Sequence, residues 1–107
     1  MNVSIFQERV YALVKQIPAG KVTTYQAVAR ALQCNSAQAI GQALKRNPFA
    51  PDVPCHRVIR TDLTLGGFKG VVAGTAIQEK IALLAKEGVR FEAGMLQDVK
   101  CLYDFSY

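Results

Sequence analysis

The stretch TTYQAVARALQCNSAQAIGQALKRNP, residues 23–48, decides the fold. Thr23-Thr24-Tyr25-Gln26 is a polar helix start, and Tyr25, Val28, Ala29 and Leu32 then share one face. Cys34-Asn35 breaks that run. Asn35-Ser36-Ala37-Gln38 supplies a second cap, from which Ala37, Ile40 and Leu44 point one way. Lys45 and Arg46 complement the negative end of that helix, and Asn47-Pro48 ends it. Two short helices joined by a tight turn make a helix-turn-helix. Its second helix keeps small or amide side chains on the outer side: Ser36, Ala39 and Gly41, with Gln38 and Gln42 among them. Small residues let a backbone approach a groove closely, and glutamine can bond base edges or phosphates. Tight helix packing would select the same residues; the basic pair Lys45-Arg46 favours DNA.

Outward from this unit, Ser4-Ile5-Phe6-Gln7 has the form of a capping box. It is followed at helical spacing by Phe6, Val10, Leu13, Val14 and Ile17. That helix stops at Pro18-Ala19-Gly20. From Phe49 to Thr64 the pattern is irregular, with Pro51 and Pro54 favouring extended backbone, and reads as loop. Gly66 to Gly70 is glycine-rich but lacks the spacing of a phosphate or dinucleotide loop. Thr75-Ala76-Ile77-Gln78 reads as another capping box, opening a helix with Ile77, Ile81 and Leu84 inward and Gly88 as its C-cap. Val89-Arg90-Phe91-Glu92 alternates as a small strand, followed by a packed extension. The expected fold is mainly α, a winged-helix-like helix-turn-helix domain with a minor β element.

The chain has 107 residues, half of them hydrophobic, and 13 basic side chains against 8 acidic ones give a net charge of +5. One domain over residues 1–107 is expected, with an anionic partner such as nucleic acid. No apolar run approaches the length of a membrane span, and the N-terminus lacks the pattern of a signal peptide. A soluble, monomeric protein of the cytoplasm or nucleoid, or of a nucleus in a eukaryote, is expected. Cys34, Cys55 and Cys101 are widely spaced, without a CxxC and with a single histidine, so reduced thiols, no metal and no cofactor are expected.

The histidine is His56, in Pro54-Cys55-His56-Arg57-Val58. A thiol sharing its surroundings with a proton acceptor can become the nucleophilic thiolate. The bland alternative is a buried thiol beside a hydrogen-bonded histidine. Adjacent side chains seldom face each other, so a proton would pass from Cys55 to His56 through a water, and a carboxylate is wanted on the other imidazole nitrogen. Glu87 is the candidate. An acid in the last turn of a helix opposes the dipole, which marks it as a residue with another task.

These residues resemble the O6-alkylguanine-DNA alkyltransferase family. The matching pieces are Ile17-Pro18-Ala19-Gly20-Lys21-Val22-Thr23-Thr24-Tyr25, Ala39-Ile40-Gly41, Arg46-Asn47-Pro48, Pro54-Cys55-His56-Arg57-Val58, the Gly66 to Gly70 loop and Leu83-Leu84-Ala85-Lys86-Glu87-Gly88. The resemblance implies direct repair of double-stranded DNA: an O6-alkylated guanine is flipped out and its alkyl group moves once, irreversibly, to Cys55. It further implies that His56 and Glu87 activate the thiol, that Tyr25 donates to the purine, and that Asn47 braces the turn. The Lys69 N–H would address O6, the carbonyls of Cys55 and Val58 would accept from the exocyclic amine, Phe68 would line the pocket, and Leu44 and Ala50 would stand at its mouth. Ser36, Ala37, Gln38, Ala39, Gly41, Lys45, Arg46 and Arg57 would meet DNA, in the minor groove.

Three departures from the family pattern stand out. Gln38 occupies the place of an arginine that fills the gap left by the flipped base, Phe68 replaces a tyrosine, and the family's N-terminal domain is expected to be absent. The short form is also that of alkyltransferase-like proteins, which bind alkylated DNA without repairing it and usually carry tryptophan at the place of Cys55. A sequence-specific transcriptional regulator is a third reading.

Overall fold

Ser4 starts the first helix as its sequence dictates: the Gln7 N–H donates to Ser4 Oγ at 3.0 Å and the Ser4 N–H donates to Gln7 Oε1 at 2.8 Å. The computed structural model describes residues 3–49, 52–66 and 74–105. Helix α1 (Ile5–Val14) buries Val10, Tyr11 and Val14, whereas Phe6 and Leu13 are only partly covered. Tyr11 joins the inner face because its hydroxyl finds a partner there, donating to the Ala43 carbonyl at 2.6 Å.

Strand β1 (Thr23–Thr24) runs directly into α2 (Tyr25–Ala31), since Thr24 Oγ1 accepts the Ala27 N–H at 3.1 Å. After the Cys34-Asn35 turn, Ser36 caps α3 (Ala37–Lys45) by accepting the Ala39 N–H at 3.1 Å. The helix-turn-helix therefore stands where its sequence signals put it.

The stretch read as irregular loop contains a 3-10 helical turn, Cys55–Arg57, and strand β2 (Val58–Ile59). Strand β2 pairs in parallel with β1, with Thr23 opposite Val58 and Thr24 opposite Ile59. A two-residue strand shows no alternation, and its partner lies far upstream, so no local signal announces it. The pair divides the interior. Val58 enters a core built on α1, α2 and α3, and Ile59 enters a second core with Val22, Leu65, Leu84, Val89 and Leu96.

Helix α4 (Thr75–Lys86) corrects two expectations. Its N-cap is Gly74, at φ +90 and ψ −157 and without a side-chain cap bond, so Thr75 is the first helical residue rather than the cap. Ile81 is 37% exposed, and the inner stripe is Ile77, Lys80 and Leu84. The far end follows the sequence signal. Gly88 at φ +85 lets its own N–H reach the Ala85 carbonyl and the Val89 N–H reach the Leu84 carbonyl, at 3.0 and 2.9 Å. Leu84 and Val89, both buried, close that motif with an apolar contact; full burial of such a side chain stabilises by about 1.5–3 kcal/mol.

Strands β3 (Phe91–Glu92) and β4 (Met95–Leu96) form a hairpin through Ala93 and Gly94, both at positive φ as a two-residue loop of this twist requires. The tail then passes along β1, where the Tyr103 N–H donates to the Val22 carbonyl at 2.7 Å. No helix among the described residues is long and apolar enough to cross a membrane.

Candidate active site

Cys55 packs against the α1–α3 core, and short-range bonds shape the chain that carries it. Asn47, just past α3, donates from Nδ2 to the Val53 carbonyl at 3.0 Å, and its Oδ1 accepts the Phe49 N–H at 2.9 Å. Pro54, at φ −81 and ψ 71, makes an inverse γ-turn closed by the Cys55 N–H on Val53 O at 2.8 Å. The 3-10 turn follows, its Val58 N–H donating to the Cys55 carbonyl. This tight winding parts two neighbours: Cys55 keeps partial solvent contact, and His56 turns inward to 5% exposure.

His56 Nε2 meets Glu87 Oε2 at 3.1 Å. The same carboxylate takes two bonds from Arg57, Nε to Oε1 at 2.9 Å and Nη2 to Oε2 at 2.7 Å, while Arg57 Nη1 donates to the Ile17 carbonyl at 2.8 Å. Glu87, the residue at odds with its helix dipole, is thus the anchor of a histidine and an arginine. Burial pushes its carboxyl up, but the Arg57 and His56 hydrogen bonds and charges together outweigh that and hold it below its ordinary value. Burial lowers the His56 imidazole, with the Glu87 hydrogen bond and charge opposing, so the ring is neutral at pH 7. An ionised Glu87 fixes the proton on Nε2 and leaves Nδ1 as a base. Nδ1 has no protein partner among the described residues, and no buried side-chain nitrogen or oxygen there lacks one, so Nδ1 touches solvent.

Sequence reasoning passed over Lys80. It is fully buried, donating from Nζ to the Val58 carbonyl at 3.0 Å and to the Leu65 carbonyl at 2.8 Å. Desolvation brings its pKa down to about 8, against the attraction of the nearby Cys55. It stands three residues after Ile77 and four before Leu84, a helical spacing that was the one signal pointing to it. Tyr25, the first residue of α2, has its phenol raised by burial and by the Cys55 charge, with Arg60 opposing, and so remains a donor at neutral pH. The arrangement offers a half-exposed thiol, a buried ammonium, a fixed neutral base and a protonated phenol.

On α3, Ser36, Gln38, Gln42, Lys45 and Arg46 are exposed, and Ala37, Ala39 and Gly41 are half-buried. A Cβ added at Gly41 would meet nothing within 4 Å. Internal packing does not ask for a glycine there, although a mid-helix glycine costs about 1 kcal/mol relative to alanine. Beside this face an open groove of about 440 Å³ is lined by Gln26, Ala29, Arg30, Gln33, Cys34, Asn35 and Ala37. Among the described residues no group of three His, Cys, Asp or Glu could hold a metal ion.

Residues 5–89 match the family model described as 6-O-methylguanine DNA methyltransferase, DNA binding domain. The chain belongs to this family. It is 42% identical over 87 residues to the methylated-DNA–protein-cysteine methyltransferase of Methanothermobacter thermautotrophicus, covering 81% of this chain and 46% of that protein. The enzyme of the same name from Sulfolobus acidocaldarius is also 42% identical, over 91 residues, covering 85% and 54%. The chain thus spans about half the length of the curated relatives it matches. Among solved structures, O6-methylguanine-DNA methyltransferase from Pyrococcus kodakaraensis strain KOD1 superposes with a TM-score of 0.70 at 40% identity, over 81% of this chain and 48% of that one. S. pombe Atl1, in complex with damaged DNA containing O6-carboxymethylguanine, superposes with a TM-score of 0.80 at 31% identity, over 97% of this chain and 99% of that one.

Within this methyltransferase-family domain, Cys55, His56, Glu87, Tyr25, Asn47 and Val58 belong to one neighbourhood. Leu44, expected at the pocket mouth, is only 6% exposed and packs in the α1–α3 core. Arg57, expected on DNA, is instead turned inward to Glu87 and Ile17, where the half-buried carboxylate takes two of its N–H bonds. Ala50, Phe68 and Lys69 lie outside the described residues.

Proposed function

We propose that this protein is a direct-repair alkyl acceptor that binds double-stranded DNA containing O6-alkylguanine, in the minor groove and as a monomer, and takes the alkyl group onto Cys55. The observation that carries the reading is a half-exposed thiol one residue from a histidine whose Nε2 is held by Glu87. The face of α3 supports the DNA half, since Gly41 is unexplained by the fold and a minor-groove surface requires close backbone approach.

In this reading Cys55 passes its proton through a water to His56 Nδ1, and Lys80 favours the thiolate. The sulfur attacks the alkyl carbon; the S–C bond forms as the C–O6 bond breaks, and the bonding pair stays on O6. Tyr25 delivers a proton to the purine ring and regains one through solvent from His56, so guanine and a thioether result. A thioether sulfur is a poor leaving group, so each molecule acts once. The carbonyls of Cys55 and Val58 accept from the guanine amine with their second lone pairs, and the Lys80 ammonium on Val58 keeps that carbonyl fixed. The family resemblance assigns pocket lining to Phe68, the O6 contact to the Lys69 N–H and the pocket mouth to Ala50, and in this reading Gln38 fills the vacated base stack. Ser36, Ala37, Ala39, Lys45 and Arg46 hold the DNA.

A second reading, recognition of the lesion without transfer, is supported by the structural likeness to Atl1, at a TM-score of 0.80. Peptide mass analysis after incubation with an O6-methylguanine duplex separates the two. A methyl on the Cys55 peptide is the expected result; tight binding with Cys55 unmodified would establish the second reading.

A further inference from the structure

A second arginine stands at the edge of this site in a different condition from Arg57. The parallel register pairs Thr23 with Val58 and Thr24 with Ile59, so the next positions along the two chains are Tyr25 and Arg60. Neighbouring strands run about 4.8 Å apart, which delivers Arg60 beside Tyr25 at the carboxyl end of the pair. A third residue records the same closeness. Gly66 sits at φ +76, and a Cβ there would lie 3.1 Å from Arg60 Cγ and 3.7 Å from Tyr25 Cε2. Arginine stem and tyrosine ring therefore flank one glycine.

Arg60 is exposed, and among the described residues no hydrogen bond or ion pair holds its guanidinium. Its stem flanks Gly66 together with the Tyr25 ring, and its charge acts on Tyr25, Lys80 and Asp62. Asp62, the carboxylate facing it, is occupied by the Thr64 N–H and hydroxyl, at 3.1 and 2.6 Å. The site thus ends in an unengaged planar cation suited to bidentate contact with an oxyanion.

Resting on the lesion-binding reading above, we propose that Arg60 is a positioning residue that grips a phosphate flanking the extruded nucleotide, holding the base against Tyr25 and Cys55. A base that swings into the pocket brings its own phosphates to the rim, whatever alkyl group it carries. Gln38, being neutral, adds no charge to extrusion on the helix side; Arg60 supplies charge on the pocket side. A carboxylate on the alkyl group would present the same oxyanion chemistry, and the experiment separates the sources.

The test uses the full chain and duplexes carrying O6-methylguanine, with methylphosphonate replacing each flanking phosphate in turn. The wild type is expected to lose about tenfold in affinity at one such position, as for a lost hydrogen bond to a charged group. Arg60→Met is expected to lose the same amount on the normal duplex and nothing further at that position, with a salt slope shallower by about 0.9. Arg60→Lys should recover part of both. A wild type indifferent to every methylphosphonate overturns the proposal, whether or not the variants fold. So does a variant that discriminates O6-carboxymethylguanine from O6-methylguanine differently while the phosphate coupling stays absent, since that assigns Arg60 to the alkyl group. Lesion-selective binding without methyl on Cys55 would sink the transfer reading and leave the phosphate grip standing; failure of the grip leaves transfer standing.

Discussion

Helix α3 and the Cys55 turn are built in opposite ways. The helix is local: Ser36 caps it, Ile40, Ala43 and Leu44 bury one side, and the other side is left open for a partner. The Cys55 turn is assembled from afar. Glu87 arrives from the end of α4, Tyr25 from the start of α2, Asn47 from beyond α3 and Lys80 from the middle of α4, and His56 is oriented by its bond to Glu87. The lesson is that the binding surface can change residue by residue, whereas each member of the reactive cluster answers to several others. Substitutions on the two should therefore separate binding from chemistry.

The largest separation belongs to Cys55→Ser, which should keep lesion binding within a few-fold and abolish alkyl transfer, measured by gel shift and by restored guanine in the same duplex. Loss of binding in parallel would erase the contrast between the two regions. Glu87→Gln comes next. It leaves buried His56 and half-buried Arg57 without their carboxylate, so stability at neutral pH should fall by about 1.5–3 kcal/mol in denaturant titrations, as for lost hydrogen bonds to a charged group.

Acid should act on the same network. Both His56 and Glu87 have folded pKa values below their ordinary ones, so the unfolded chain takes up protons first as pH falls. The His56 contribution is full above about pH 6.5 and the Glu87 contribution above about pH 4.3, and each is lost below its value. The stability gap between wild type and Glu87→Gln should close as pH drops through the carboxylate range.

A smaller effect tests the buried ammonium. Lys80 has a pKa of about 8, so transfer by the wild type should decline at higher pH as that charge is lost. Lys80→Met should be slower at pH 7 and show no such decline. The smallest effect is on α3. Gly41→Ala should stabilise the helix by about 0.5–1 kcal/mol, because a Cβ meets nothing there, yet weaken DNA binding by crowding the surface. Tighter binding instead would return Gly41 to an accident of sequence.

What the sequence disclosed follows the same division. The caps at Ser4, Thr24 and Ser36 and the stop at Gly88 are short-range signals, and each operates in the structure. Strand β2 escaped because two residues carry no periodicity and their partner is 35 positions away. The start of α4 slipped by one residue, since Gly74 has the positive φ that the Thr75 pattern cannot reveal. Cys55, His56 and Glu87 stood out by residue type, but the inward turn of Arg57 did not, because a basic residue beside a reactive cysteine reads equally as a DNA contact or an ion-pair partner until the position of Glu87 is known. Lys80 was hidden by the ordinary rule that lysine faces water.

If Cys55 is an acceptor that is consumed, a stoichiometric titration shows it directly. A fixed amount of protein is mixed with increasing O6-methylguanine duplex, and restored guanine is counted against protein. The expected result is a plateau at one methyl per protein molecule, all of it on the Cys55 peptide. Bound duplex with the lesion intact, or turnover continuing beyond one equivalent, would contradict it.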